Sequence, residues 1–228
     1  MRLSKVLIAL LCTIAVAALV YAGAGKGDES LGKLLDGNKR FISGGLSKKD
    51  LGDARRKELT KGQHPFATVL SCSDSRVPPE LVFDQGLGDI FIVRVAGNVL
   101  EPTTLGSIEY GVEHLHTPLL VILGHEQCGA VKATLELSGE PEGNIGAILK
   151  KIMPAVKKAK EAKKDKDSTL QLAVQENVKN TYKDVMKSHI VEELVHKGEL
   201  KVVAAEYYLS SGKVELVELP SSSAEHKH

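Results

Sequence analysis

The stretch FATVLSCSDSR, Phe66 to Arg76, decides how this chain folds. Its first half is a short apolar run that ends at a cysteine, and its second half is polar. Two more runs of the same kind follow, DIFIVRVAG from Asp89 and PLLVILGH from Pro118. Each is bounded by Gly, Pro or Asp and reads as a strand buried on both faces, the habit of parallel sheets. Between the second and third runs, TTLGSIEYGVEHLHT sets Leu105, Ile108, Val112 and Leu115 at spacings of three and four, which predicts a crossover helix. The alternation of strand and helix predicts a parallel sheet with right-handed crossovers.

Towards the N-terminus, SLGKLLDGNKRF has Leu31, Leu34, Leu35 and Phe41 at helical spacing behind Ser30, a possible N-cap, and SKKDLGDARRKELTKG predicts a second helix. Towards the C-terminus, a helical region is expected from Asn144 to about His196, interrupted near Pro154 and at KKDKDS. KVVAAEYYLSSGKVELVEL then reads as two strands about a turn at Ser210 to Gly212. The expected class is therefore α/β: a central, mostly parallel β-sheet flanked by helices, with an N-terminal helical extension and a C-terminal strand pair.

The chain has 228 residues, 43% of them hydrophobic, with no tryptophan, so aliphatic side chains must fill its core. A formal net charge of +1 and the lack of a basic patch with interleaved aromatics give no reason to expect a nucleic-acid partner. At the start, Arg2 and Lys5 precede an apolar run from Val6 to Val20 and the small residues Ala22, Gly23 and Ala24. This is the pattern of a signal peptide over residues 1–24, cleaved after Ala24 or Ala22. The run is short of the roughly twenty apolar residues a span requires. Export to the periplasm or beyond is expected, with no stable membrane insertion after cleavage. Leu11 stands where a lipidated Cys12 would need a small residue before it. Residues 25–228 are expected to form one domain, with a polar tail from about 220.

Loss of the leader would leave Cys72 and Cys128. In an exported protein two cysteines ordinarily read as one disulfide, but a disulfide explains neither Asp74, Arg76 nor His125. If FATVLSC is a strand, an extended continuation puts Cys72, Asp74 and Arg76 on one side by the period of two. His125 and Cys128 directly follow the third run, and ligands of open parallel sheets bind beyond the C-terminal ends of the strands. Two thiolates and an imidazole suit zinc and leave a fourth position for water. Asp74 is a possible fourth ligand in a closed state, unless Arg76 holds it away by a charge-assisted contact.

CSDSR with GHEQCGAV, joined by GDIFIVRVAGN, resembles the β-class carbonic anhydrases, and the likeness extends to LLDGNKRF and to VVAAEYYLSSGKVELVEL, essentially the whole mature chain. The resemblance implies a zinc enzyme that hydrates carbon dioxide reversibly to bicarbonate and a proton through a zinc-bound hydroxide. Cys72, His125 and Cys128 would bind zinc, and Asp74 and Arg76 would form the catalytic dyad. Gln63 and Tyr110 would belong to the substrate pocket, with Phe91 and Ala96 on its apolar lining, partly across a dimer interface, and Gly129, whose amide adjoins Cys128, is a further candidate contact to substrate. A homodimer or higher homo-oligomer is implied as well. Relatives that hydrolyse carbon disulfide or carbonyl sulfide share the fold and metal, and a zinc-binding protein without turnover is a third reading, although storage needs neither Asp74 nor Arg76. A regulatory bicarbonate site of the kind that includes a tryptophan is not expected in a chain without one. His64, His114 and His116 can relay protons in principle, and none is assigned.

Overall fold

The computed structural model describes residues 25–141 and 143–219. The expected signal peptide, with Cys12, and the polar tail from residue 220, with His226 and His228, lie outside the described residues. Among the described residues no helix is long and apolar enough to cross a membrane.

The three apolar runs form β1 (Ala67–Ser71), β2 (Ile90–Arg94) and β3 (Leu119–His125), and the C-terminal pair forms β4 (Lys201–Tyr207) and β5 (Val214–Leu216). The sheet order is β2-β1-β3-β4-β5, with every pairing parallel except the closing β4–β5 hairpin. Strand order therefore reverses at β1, which lies between β2 and β3, so the C-terminal ends of β1 and β3 open side by side.

Alternation along the strands splits the core into two layers. Val69, Leu119, Val121, Leu123, Val203 and Ala205 face α1 (Lys26–Ser43) and the short turn of helix α3 (Pro79–Val82). Leu70, Leu120, Ile122 and Ala204 face the other way. There they meet α4 (Pro102–Glu109), α7 (Lys166–Val185) and α8 (His189–His196) through Ile108, Val178, Val185 and Val191. A π-helical turn, Tyr110–His114, extends α4. Gly124 of β3 admits α7 closely, because a Cβ there would land within the Val178 side chain.

Three local expectations change. The first helix begins at Lys26, ahead of Ser30, and ends where Gly44 takes a left-handed backbone with φ 71°. The second helix, α2, is confined to Asp53–Leu59. Pro154 does not interrupt α6 (Ile145–Glu161), since a buried stripe of Leu149, Ile152, Ala155, Val156 and Ala159 outweighs the one backbone bond proline cannot donate. The break at KKDKDS is present, and Asp165 there caps α7 by accepting from the amides of Asp167 and Ser168 at 3.1 and 3.0 Å. A short helix, α5 (Gly129–Leu135), starts directly after Cys128.

Candidate metal centre

Cys72 follows the last residue of β1, His125 ends β3, and Cys128 is the residue before α5. Strand register puts Ser71 beside Leu123, so the two strand ends bring Cys72 and His125 to one level, and the turn at Gln127 returns Cys128 to them. The ligand atoms of Cys72, His125 and Cys128 all lie within 4.8 Å of one another, and all three residues are buried. Both cysteines are free thiols. The pairing read as an ordinary disulfide is not made.

His125 settles its own tautomer. Its Nδ1 lies 2.9 Å from the carbonyl oxygen of Glu126, which can only accept, so Nδ1 carries the hydrogen. That leaves Nε2 with a lone pair, and Nε2 is buried with no hydrogen-bond partner. A buried imidazole nitrogen left bare between two sulfurs, its opposite nitrogen fixed by a carbonyl, is the arrangement of a metal-ligating histidine. The donor set fits a tetrahedral zinc ion, which takes sulfur and nitrogen at about 2.3 and 2.0–2.1 Å.

The two sulfurs are unequal. The Cys72 thiol is pulled below its ordinary value, chiefly by Cys128 and against the opposing effect of burial, with further help from the Gly97 and Asp74 amides. Cys128 is pushed up by its hydrogen bond to Cys72 and by burial. A cation seated there would take both sulfurs as thiolates and release their protons. The Gly97 N–H donates to Cys72 Sγ at 3.3 Å.

Asp74 stands at the mouth of the cluster, with Oδ2 3.8 Å from His125 Nε2. Arg76 grips it with both oxygens engaged: Nε donates to Oδ1 at 2.9 Å, Nη2 to Oδ2 at 2.7 Å, and the Arg76 backbone N–H also to Oδ1 at 2.9 Å. These bonds hold the Asp74 carboxyl well below the usual carboxylate range despite the opposing effect of burial. Arg76 Nη2 also reaches the Gln127 carbonyl at 3.3 Å, tying the dyad to the loop between the other two ligands.

Residues that the sequence reading left unassigned hold this loop. Arg94, at the end of β2, donates to the carbonyls of Cys72 at 3.0 Å and Asp74 at 2.7 Å. The turn Ala96–Asn98 folds back over Cys72 and is bonded from α7 by Asn177 and Thr181. A signal existed in the chain: Asn177 and Thr181 are polar residues on the same helical face as Ala173, Val174, Val178 and Val185, all of them buried.

The other expected site residues sit elsewhere. Gly129 adjoins Cys128 as the first residue of α5, with open space where a Cβ would point. Phe91 pairs with Thr68, four residues before Cys72, which is roughly 13 Å along the strand. Its ring packs against Tyr110 at 5.9 Å between centroids, and Tyr110 is 45% exposed. Gln63 is exposed in the loop that enters β1. Within one chain these three lie towards the N-terminal edge of the sheet, away from the cluster.

A family model described as carbonic anhydrase matches residues 67–214. The carbonic anhydrase of Mycolicibacterium smegmatis is 40% identical over 187 residues, covering 80% of this chain and 89% of that protein. Carbonic anhydrase 2 of Mycobacterium tuberculosis is 37% identical over 187 residues, with the same 80% and 89% coverage. Among solved structures, a β-carbonic anhydrase of Aspergillus fumigatus superposes with a TM-score of 0.69 at 28% identity, covering 74% of this chain and 82% of that one. One of two tetrameric β-carbonic anhydrases of Sordaria macrospora gives 0.67 at 26%, covering 71% and 85%.

Proposed function

This chain belongs to the β-class carbonic anhydrases, and from that premise we propose that it hydrates carbon dioxide reversibly to bicarbonate and a proton, with zinc held by Cys72, His125 and Cys128. The observation that carries this reading is the bare, buried Nε2 of His125 facing two thiols beside an arginine-clamped carboxylate. Zinc in that set would act as a Lewis acid that makes water a competent nucleophile near neutral pH.

The protein's own groups do the rest. The Glu126 carbonyl keeps the His125 hydrogen on Nδ1 and so keeps Nε2 available. Asp74, ionised at neutral pH, offers Oδ2 as an acceptor for the hydrogen of a water entering the mouth of the cluster, and so orients that water's lone pair outward. Arg76 occupies both carboxylate oxygens, which keeps Asp74 charged and restrains it from closing on the cluster. Stopped-flow carbon dioxide hydration by zinc-loaded mature protein tests the proposal. Turnover is expected. Zinc-loaded protein that hydrolyses carbon disulfide or carbonyl sulfide but leaves carbon dioxide untouched would overturn the substrate assignment.

We also infer a homo-oligomer and export. Half-exposed β2 with Phe91 and exposed Tyr110 offers a sheet edge that a second copy of this chain would cover, and the Sordaria relative is tetrameric by its description. Export rests on the basic, then apolar, then small-residue pattern of residues 1–24. N-terminal sequencing of exported protein should find a start near Gly23 or Gly25, and a start at Met1 in the membrane fraction would overturn it.

A further inference from the structure

We infer that Asn177 and Thr181 of α7 are positioning residues for the metal centre, acting through the Ala96–Asn98 turn to aim the Gly97 N–H at Cys72 Sγ. The inference rests on the zinc reading given above and concerns residues far from the cluster in sequence.

The turn is one the chain would not adopt unaided. Gly97 has φ 69° and ψ 17°, and the next residue, Asn98, has φ 43°. Left-handed backbone at two successive positions, one of them not glycine, persists only where the surroundings enforce it. Asn98 is also buried, with its side-chain amide nitrogen unpartnered. Glycine suits position 97, because its φ of 69° strains any other residue and a Cβ there would crowd Ile152 Cδ1 at 2.7 Å and Ala130 Cβ at 3.2 Å.

Two buried bonds from one helical face enforce it. Asn177 Nδ2 donates to the Gly97 carbonyl at 2.8 Å, and Thr181 Oγ1, one turn further along α7, donates to the Asn98 carbonyl at 3.2 Å. From the strand side, the Asn98 N–H closes the turn on the Val95 carbonyl at 2.9 Å. With both carbonyls held and the Asn98 N–H spent on Val95, the Gly97 N–H is directed inward and donates to Cys72 Sγ at 3.3 Å. A backbone N–H aimed at a buried sulfur favours its negatively charged form, here a thiolate. The same helix lines the cluster directly, since Leu170, Ala173 and Val174 pack with Cys72 and Cys128. Helix position and sulfur donor strength are thereby linked: the amide favours thiolate over thiol and draws electron density from the sulfur that would bind the ion.

The test uses Asn177→Leu and Thr181→Val, which remove each donor at nearly constant volume, with Thr181→Ser as the variant that keeps the hydroxyl. In cobalt-substituted protein, loss of the amide contact should move the thiolate-to-metal charge-transfer band to lower energy in the first two variants and leave it at its wild-type position in Thr181→Ser. Zinc affinity at neutral pH should fall about tenfold with the band shift. Folded variants with wild-type band positions and zinc affinity would overturn the inference. Should neither substituted protein fold, wild type loaded with NMR-active cadmium decides it: a scalar coupling between the metal and the Gly97 amide proton is expected, and its absence overturns the inference. A wild-type chain that takes up no metal would instead remove the zinc reading itself. A metal-loaded wild type whose band is unmoved by either substitution removes only this inference.

Discussion

The two edges of the sheet are built differently. At the C-terminal edge every chemical group is buried or bonded: Cys72 takes the Gly97 amide, His125 is fixed by the Glu126 carbonyl, and Asp74 is gripped by Arg76. At the N-terminal edge, Gln63 is exposed, and the half-covered Phe91 and exposed Tyr110 have mainly one another and the His114 ring, 5.1 Å from Tyr110. The first edge is complete within one chain. The second has the open character of a surface awaiting a neighbour, in keeping with the oligomer proposed above. The lesson is that one chain brings its metal ligands together by itself, whereas the expected pocket residues Gln63, Phe91 and Tyr110 stand where only a second copy could bring them to such a cluster.

Substitution at each edge breaks or keeps this contrast, and the largest effect belongs to the ligands. Cys72→Ser or His125→Ala should abolish both metal content and carbon dioxide hydration, because two protein ligands do not hold a tetrahedral ion in an otherwise apolar cluster. Tyr110→Ala should leave metal content intact. Elemental analysis of the purified proteins checks both, and loss of zinc from Tyr110→Ala would erase the distinction between the edges.

Arg76→Ala comes next and divides the C-terminal edge itself. The ligand set is untouched, so zinc should remain near one per chain, while activity falls by about a hundredfold as Asp74 loses the guanidinium and keeps only the backbone N–H on Oδ1. The carboxyl should also return towards its ordinary range. Its folded value is depressed in wild type, so the stability it contributes is present above the unfolded value and is lost only as pH falls through the folded one. In the variant most of that contribution is lost, and melting temperatures measured from neutral to acid pH should show a wild-type advantage that narrows towards acid. A parallel pair of curves would show that the ion pair contributes nothing to folding.

The strands, their parallel pairing and the cluster were legible because each rests on a local pattern: apolar runs with punctuation, and cysteine, histidine and carboxylate at strand ends. The closing hairpin was legible from the turn residues Ser210 to Gly212, and Gly212 takes the left-handed backbone such a turn uses, with φ 74°. What escaped depends on distance. Nothing near Gly97 announces that Asn177, eighty residues on, will bond its carbonyl, and nothing near Cys72 announces Arg94 as the clamp of its loop. Pro154 misled for a related reason, since local propensity argued for a break and the packing of α6 against its neighbours argued against one. Placing Gln63, Phe91 and Tyr110 in the pocket came from resemblance alone, and one chain holds them apart from the metal ligands.

At the N-terminal edge a smaller effect is expected. Tyr110→Ala removes two ring contacts from a half-exposed position, and the cost to folding should be about 1 kcal/mol. Chemical denaturation of the variant measures it. A cost several times larger in the oligomer, but not in dilute monomer, would show that the edge is covered by a second copy.

The smallest effect sharpens the comparison within the C-terminal edge, where two carboxyls are treated in opposite ways. Glu206, near the end of β4, is fully buried on the α7 side of the sheet, and the groups facing it are neutral or acidic. Gln171 Nε2 donates to Oε1 at 2.8 Å and Gln175 Nε2 to Oε2 at 3.2 Å. Burial raises its pKa, Glu126 adds to the rise, and the bonds from Gln175, Gln171 and Tyr208 offset part of it. Asp74 has a guanidinium where Glu206 has amides, and the two shift in opposite directions. A raised folded value means that the stability Glu206 contributes is fully present below its unfolded value and is lost as pH rises through the folded one. Glu206→Gln keeps the shape and removes the charge: its oxygen accepts from Gln171, and Gln175 can turn its own amide to accept the new N–H. The variant should therefore melt about 1–2 °C above wild type at neutral pH, with the gap closing as pH falls into the range where wild-type Glu206 is protonated. Paired melting curves at several pH values read this directly. A gap that does not change with pH would mean that Glu206 is protonated throughout and that its environment is tuned for a neutral acid.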